Sequence, residues 1–303
     1  MNYVRIPGTD IAVSRICLGT MTFGSPVAFD DAVALIRYAK AEHGINFVDT
    51  ANMYEGYSRY AGSPGGVAEE IVGKAICEDR ASYIVATKVG MKVGSAPEDE
   101  NTSPAAIQLQ LRRSLARMKT DYVDIYYLHR FDGSTAPQLI AEAMGRELRA
   151  GTIRAWGVSN YSAEQLAALM EAAKEMNVPM PALCEPPLSM IRREALSDLL
   201  PFCRDNGIGV VPYQILQGGI LTGKYRRGST VPAGSRLAEK PEWMKPFTDE
   251  VYAAIEECER GAAKEHVSMT QFALRWALRQ PGVVSALIGV KRKEQIDEAA
   301  RAV

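Results

Sequence analysis

Eight short runs of aliphatic, β-branched and aromatic residues recur along the chain: ICLGT at 16–20, NFVDT at 46–50, YIVATKV at 83–89, VDIYYLH at 123–129, TIRAWGVS at 152–159, ALCEPPL at 182–188, GIGVVPY at 207–213 and SALIGV at 285–290. Most show no polar alternation, the pattern of strands covered on both faces within a parallel sheet. Between them the period changes. In AFDDAVALIRYAKAEHG, residues Ala32, Leu35, Ile36 and Ala39 share one helical face behind Asp30, a candidate cap. SPAAIQLQLRRSLARMK, SAEQLAALMEAAKEM and TQFALRWALRQ carry the same spacing. Strands alternating with helices predict parallel βαβ units, and eight of them favour an α/β fold closed as a (β/α)8 TIM barrel over an open, doubly wound sheet.

Three segments break the rhythm. YVRIPGTDIAVSR has two extended runs around Pro7-Gly8, a candidate N-terminal β-hairpin across the barrel bottom. EGYSRYAGSPGG after Tyr54, and the stretch from Tyr225 to Pro246, are long turn-rich excursions suited to a lid or binding wall at the C-terminal face. No fixed-period repeat, low-complexity tract or linker divides the chain, so residues 1–303 are expected to form a single domain.

Charge narrows the partners. With 35 Lys and Arg against 36 Asp and Glu, the chain has no long-range field to gather nucleic acid or an anionic membrane, and any anion site must be local. A small-molecule partner is expected. The cysteines, at 17, 77, 184, 203 and 258, are scattered without a C-x-x-C pair, which fits reduced thiols and suggests no metal site. The N-terminal stretch lacks the apolar core of a signal peptide, and no run approaches about 18 apolar residues, so a cytoplasmic location is expected. Apolar helix faces on a barrel exterior leave both monomer and homo-oligomer open.

In barrels of this kind the chemistry gathers where strands finish. Those ends carry Asp49, Tyr54 in the loop just after it, Lys88 and His129. Singly, each has an ordinary use: an Asp caps, a Tyr packs, a Lys snorkels. Jointly they converge, and an Asp and a Lys directed into an apolar mouth are costly unless paired. An ammonium beside a phenol stabilises the phenolate, so Tyr54 is expected to titrate below an ordinary tyrosine and to act as a general acid. Asp49 then holds Lys88 charged, while His129 orients a substrate oxygen or shuttles the proton. Tyr57 and Tyr60 lie close enough in sequence to compete with Tyr54, which the D-x-x-x-x-Y spacing favours.

These residues sit in longer strings: CLGTMTFG, FVDTANMY, IVATKVG, LRRSLARMKTDYVDIYYLHRFD, GTIRAWGVSNYS, VPYQILQGGILTGKY and IGVKRKEQIDE. In them the chain resembles the aldo-keto reductases almost end to end. The resemblance places that family's Asp, Tyr, Lys and His tetrad on Asp49, Tyr54, Lys88 and His129. It implies hydride transfer from a reduced nicotinamide to the carbonyl carbon of an aldehyde, ketone or keto-sugar, with Tyr54 protonating the oxygen. Relatives that reduce steroid-conjugated double bonds carry Glu where this chain has His129, so carbonyl reduction is the expected reaction.

The cofactor implied is NADPH, with NADH the alternative, held without a Rossmann G-x-G-x-x-G. By resemblance, Ser159 and Asn160 contact the nicotinamide carboxamide, and Gly218 and Lys224 belong to a loop over the pyrophosphate. Lys291 and Arg292 would take the 2′-phosphate at a helix N-terminus, with Gln295 near the adenosine. Thr20, Glu185, Tyr213, Leu216 and Gly289 complete the expected contacts. Glu185 stands at a family Gln that contacts the carboxamide, Leu188 at a Tyr that stacks on the ring, Ala299 at an adenine-contacting Asn, and Gln214-Ile215 at a Ser-Pro pair.

Other functions compete. Gly218 to Lys224 spells G-x-x-x-x-G-K, but Tyr225 stands where a P-loop needs a hydroxyl for Mg²⁺. A cofactor-binding regulatory subunit, like the channel-associated members of the family, is the alternative to an enzyme. A Schiff-base isomerase or lyase would need Lys88 neutral, which Asp49 opposes.

Overall fold

The computed structural model describes residues 1–244 and 246–303; Lys245, inside the second turn-rich excursion, lies outside the described residues. Two strands, β1 (Tyr3–Arg5) and β2 (Ala12–Ser14), pair antiparallel as the expected N-terminal hairpin. Then come β3 (Ile16–Gly19), β4 (Phe47–Asp49), β5 (Ile84–Val89), β6 (Val123–Leu128), β7 (Ile153–Ser159), β8 (Leu183–Glu185), β9 (Gly209–Val210) and β10 (Ala286–Gly289). Each falls within one of the eight apolar runs. They form one parallel sheet in the order β10-β3-β4-β5-β6-β7-β8-β9. Its edges meet where Val210 N donates to Gly282 O and Val284 N to Val210 O, both 2.9 Å, and where Leu287 N donates to Pro212 O at 3.0 Å. With helices between the strands, this is the (β/α)8 barrel.

The helices are α1 (Phe29–His43), α2 (Val67–Ile76), α3 (Pro104–Met118), α4 (Pro137–Ala150), α5 (Ala163–Glu175), α6 (Leu199–Asp205), α7 (Arg236–Glu239), α8 (Asp249–Glu265), α9 (Met269–Leu278) and α10 (Lys293–Ala300). Side-chain caps occur at Ser103, Ser162, Thr248 and Ser268. Asp30 is not one of them. Helix α1 starts earlier, behind Ala28, which puts Asp30 and Asp31 in its first turn, where they oppose the positive end of the helix dipole without capping it.

Both faces of the strands are buried, which explains the missing polar alternation. Ile16, Leu18, Val48, Val85, Tyr126, Leu128, Trp156 and Val158 point outward into the layer shared with the helices. Residues of the other parity, Cys17, Phe47, Ile84, Ala86, Ile125, Tyr127, Ala155 and Leu183, fill the barrel interior. Ile6, Ile11 and Val13 of the hairpin join this inner cluster, so the hairpin seals the end of the barrel remote from the strand C-termini.

Inside the barrel one glycine admits an aromatic ring. Tyr127 pairs with Gly157 across β6 and β7. A Cβ at Gly157 would stand 2.4 Å from Leu183 O and 2.8 Å from Tyr127 Cε1. Gly157→Ala should therefore lower the unfolding free energy by about 1–3 kcal/mol, the range of an overpacked core. Urea unfolding followed by circular dichroism measures this, and an unchanged midpoint would mean that the strands part without strain.

Candidate active site

Strand parity delivers the polar residues to one mouth. Asp49 shares the inward parity of Phe47, Lys88 that of Ile84 and Ala86, Ser159 that of Ala155, and Glu185 that of Leu183. His129 follows β6 with the parity of Ile125 and Tyr127, its amide donating to Val89 O at 2.7 Å. Tyr54 arrives from the loop after β4, where its backbone N–H donates to Ala51 O and its carbonyl accepts from Ala68 N. All four tetrad residues are brought together.

Lys88 is the centre. Its side chain is fully buried, and Nζ contacts Asp49 Oδ1 directly and donates to Thr50 O at 3.0 Å. The Tyr54 hydroxyl lies 3.5 Å from Nζ, as does Glu185 Oε1. The Tyr54 and Tyr127 ring centroids are 5.1 and 5.9 Å from the ammonium. Burial works against the charged form, but Asp49 and then Glu185 outweigh it and hold the amine above its ordinary value. A neutral Schiff-base lysine does not fit here.

Tyr54 departs from expectation. The ammonium does pull its pKa down, but burial is the larger influence, and Asp49 and Glu185 add to it, so the phenol titrates above an ordinary tyrosine. It keeps its proton throughout the neutral range. The His129 ring lies edge-on, 5.8 Å from the Tyr54 ring at 79°. Burial, then the positive charges of Lys88, Arg130 and Arg59, push the imidazole well below its ordinary pKa, so it is neutral near pH 7. Its Nδ1 is buried with no protein partner.

Tyr57 and Tyr60 stand elsewhere. Tyr57 packs edge-on against Trp243 at 5.3 Å, and Tyr60 is 65% exposed. Neither contacts Lys88.

Around the mouth, Asn160 ties three strand ends together from a left-handed backbone conformation (φ 60°) that asparagine tolerates better than most residues. Its Nδ2 donates to His129 O at 2.9 Å and Ser159 Oγ at 3.1 Å, and its Oδ1 accepts from Tyr213 OH at 2.6 Å. Ser159 Oγ donates to Glu185 O at 2.9 Å. Thr20 is buried with its hydroxyl donated to Asp49 O, bracing the β4 end. Glu185 is turned toward Lys88 and is 3% exposed, so it joins the buried ionisable groups. Leu188 is fully buried in the layer between strands and helices, while Tyr213 comes to the mouth from beyond β9.

A second group lies on the rim. Gly218 and Gly219 take positive φ (64° and 99°), and a Cβ at Gly219 would collide with Lys224 Cε at 2.3 Å. Leu216 packs in a small cluster with Met190 and Leu221 beside them. The G-x-x-x-x-G-K string belongs to this irregular turn (Gln217–Thr222), without the strand-to-helix junction of a P-loop. Burial, then the positive charges of Lys291, Arg292 and Arg236, lower the Lys224 pKa. Lys291 contacts Glu239 directly and donates to Gly234 O at 3.2 Å, while Gln295 Oε1 accepts from its backbone N–H at 2.7 Å. Gly289, itself exposed between buried Ile288 and Val290, ends β10 just before this basic run. Arg59, Arg236, Glu239 and Lys240 carry no motif; only the folding of two excursions brings them to the mouth.

Among the described residues, no helix is long and apolar enough to cross a membrane.

A family model described as Aldo/keto reductase family matches residues 15–303. A probable voltage-gated potassium channel subunit beta of Arabidopsis thaliana is 31% identical over 100% of this chain and 91% of its own length. An L-glyceraldehyde 3-phosphate reductase of Escherichia coli is 32% identical over 100% of this chain and 87% of its own. The solved structure of a glycerol dehydrogenase from Gluconobacter oxydans superimposes with a TM-score of 0.81 at 33% identity, covering 99% of this chain and 89% of that one.

The neutral His129 has a consequence for stability. A base with a depressed folded-state pKa contributes stability that is complete above the unfolded value of about 6.5 and is lost as pH falls below it. Between about pH 7.5 and 5.5 the wild-type protein should lose about 1 kcal/mol more unfolding free energy than His129→Gln. Parallel losses in denaturant titrations would place the imidazole in water.

Proposed function

This chain belongs to the aldo/keto reductase family of oxidoreductases, and on that premise we propose that it reduces a small aldehyde, ketone or keto-sugar with a nicotinamide cofactor, NADPH before NADH, using Tyr54 as general acid. The observation that carries this reading is one buried ammonium, Lys88, touching both Asp49 and the surroundings of the Tyr54 hydroxyl beside a neutral His129.

The rim supports the cofactor. Lys224, Arg236, Lys291 and Arg292 crowd positive charge, which adds to burial in lowering the Lys224 pKa and suits a diphosphate and a 2′-phosphate. Lys224 and Lys291 would hold the phosphates, and Ser159 and Asn160 the carboxamide end. A bound reduced nicotinamide supplies the hydride. The remaining chemistry belongs to the chain. A carbonyl oxygen placed between Tyr54 and His129 accepts a hydrogen bond from the neutral imidazole. As negative charge builds on it, the oxygen takes the phenolic proton. Lys88 stabilises the phenolate left behind, and Asp49 keeps Lys88 charged and in place.

The full-length similarity to a channel subunit supports a second reading, a cofactor-binding regulator with little turnover. Fluorescence titration with NADPH and NADH, followed by nicotinamide oxidation against aldehydes, ketones and keto-sugars, separates the two. Binding with turnover supports the reductase; binding without turnover on any carbonyl supports the regulator; no binding of either cofactor sinks both.

Tyr54→Phe should bind NADPH within about threefold of wild type and lose about 10²–10⁴ in kcat, the usual worth of a positioned acid. A near-normal rate would reassign the proton donor. Lys291→Ala should weaken NADPH by about tenfold and NADH hardly at all, as loss of one charge-assisted phosphate contact requires. Equal weakening of both would move the 2′-phosphate elsewhere.

A further inference from the structure

Glu185 closes β8 with its carboxyl group directed into the barrel, 3% exposed and 3.5 Å from Lys88 Nζ. Asp49, 1% exposed, holds the same ammonium. Two carboxyl groups thus share one cation. Among the described residues, nothing donates to their remaining oxygens, the buried Asp49 Oδ2 and Glu185 Oε2. Two bare carboxylates can accept but not donate, and with Lys88 they would leave a net negative charge out of water. One proton supplies the missing donor and brings the trio to neutrality.

We propose that Glu185 is a neutral carboxylic acid that donates to Asp49, and so acts as a positioning residue that fixes Asp49 against Lys88 and Lys88 beside Tyr54. Burial raises both carboxyls but Glu185 the further: burial and then the Asp49 charge take Glu185 well above the ordinary range, whereas at Asp49 the Lys88 charge, its hydrogen bond and then the hydrogen bond from Glu185 work against burial, so the proton sits on Glu185. Its neighbours do not supply another charge. Cys17 on β3, Tyr127 on β6, Cys184 on β8 and Tyr213 beyond β9 are all raised by their surroundings and stay neutral, as does Tyr54. Asp49 and Lys88 are left as the charged pair.

The pH sense follows. When Glu185 ionises at higher pH, it places a second negative charge near Tyr54, which makes the phenol a weaker acid. Proton donation should therefore fall as pH rises through the Glu185 pKa. This consequence for turnover rests on the reductase reading; the protonation of Glu185 does not. Gln at this position would donate through its amide without titrating, a charge-neutral replacement of the same size.

Infrared difference spectroscopy of the cofactor-free chain, stepped in pH, tests the proton directly. Wild type should show the carbonyl stretch of a protonated carboxylic acid at neutral pH, lost on alkalinisation, and Glu185→Gln should lack it. Its absence from wild type or its persistence in Glu185→Gln would each overturn the assignment. In turnover, Glu185→Gln should carry the alkaline decline to higher pH, while Glu185→Leu, which cannot donate, should have a kcat about tenfold or more below that of Glu185→Gln at neutral pH. A Glu185→Gln pH profile superimposable on wild type would remove the positioning role. If wild type reduces no carbonyl, the reductase reading fails and the infrared result still decides the proton.

Discussion

An ammonium inside a barrel constrains everything within its reach. Taking Lys88 out of water costs several kcal/mol unless counter-charge and hydrogen bonds replace the lost hydration. Asp49 and the Thr50 carbonyl provide both, and they can do so because β4 and β5 are neighbours in one parallel sheet with inward parity at residues 49 and 88. The Tyr127 ring lies on the ammonium from the next strand, and that ring fits only because Gly157 in β7 has no side chain. Four consecutive strands are thereby committed to one cation. The hairpin matters to it as well: Ile6, Ile11 and Val13 close the far end of the barrel and keep the interior apolar, which makes the charge pair obligatory.

The mouth divides into a neutralised interior and a charged rim. Inside, every charge has a partner and the titratable groups around them are pushed toward their neutral forms. On the rim, Lys224, Lys291, Arg292 and Arg236 repel one another, with Glu239 bonded to Lys291. Such a rim is stabilised by whatever anion arrives. Asn160 braces the edge of the interior: its amide spans the His129 carbonyl, the Ser159 hydroxyl and the Tyr213 phenol, tying together the ends of β6, β7 and β9.

Strands, their parallel order and the tetrad were legible in the sequence, because doubly buried strands read as continuous apolar runs and a polar residue at the end of such a run stands out. Asp49, Lys88 and His129 are conspicuous for that reason. What failed was whatever depends on depth or on neighbours distant in sequence. The sign of the Tyr54 shift required knowing that burial and two carboxylates together exceed one ammonium. Asp30 looked like a cap, but the capping position of α1 is Ala28, two residues earlier, a difference that backbone geometry decides. That Tyr213, beyond β9, reaches Asn160 at the mouth is a contact between residues far apart in sequence. Arg59 lies in a loop and Arg236 opens the short helix α7, both inside excursions whose course no periodicity encodes.

A phenol raised above its ordinary pKa looks unsuited to general-acid work, and the proposed reaction turns on why it is not. The acceptor in carbonyl reduction is an oxygen becoming an alkoxide, which is more basic than any phenolate, so the transfer runs downhill even from a reluctant tyrosine. Reluctance has its own use: the proton is present at every neutral pH and leaves only when negative charge develops nearby. At that moment Lys88, held above its ordinary pKa, gains a second negative neighbour in the phenolate, at 3.5 Å and out of water, where the attraction is strong. The ammonium that is expensive to bury in the resting protein is thus already in position for the charge the reaction creates, and the same desolvation that raises Tyr54 at rest strengthens its stabilisation after the proton has gone.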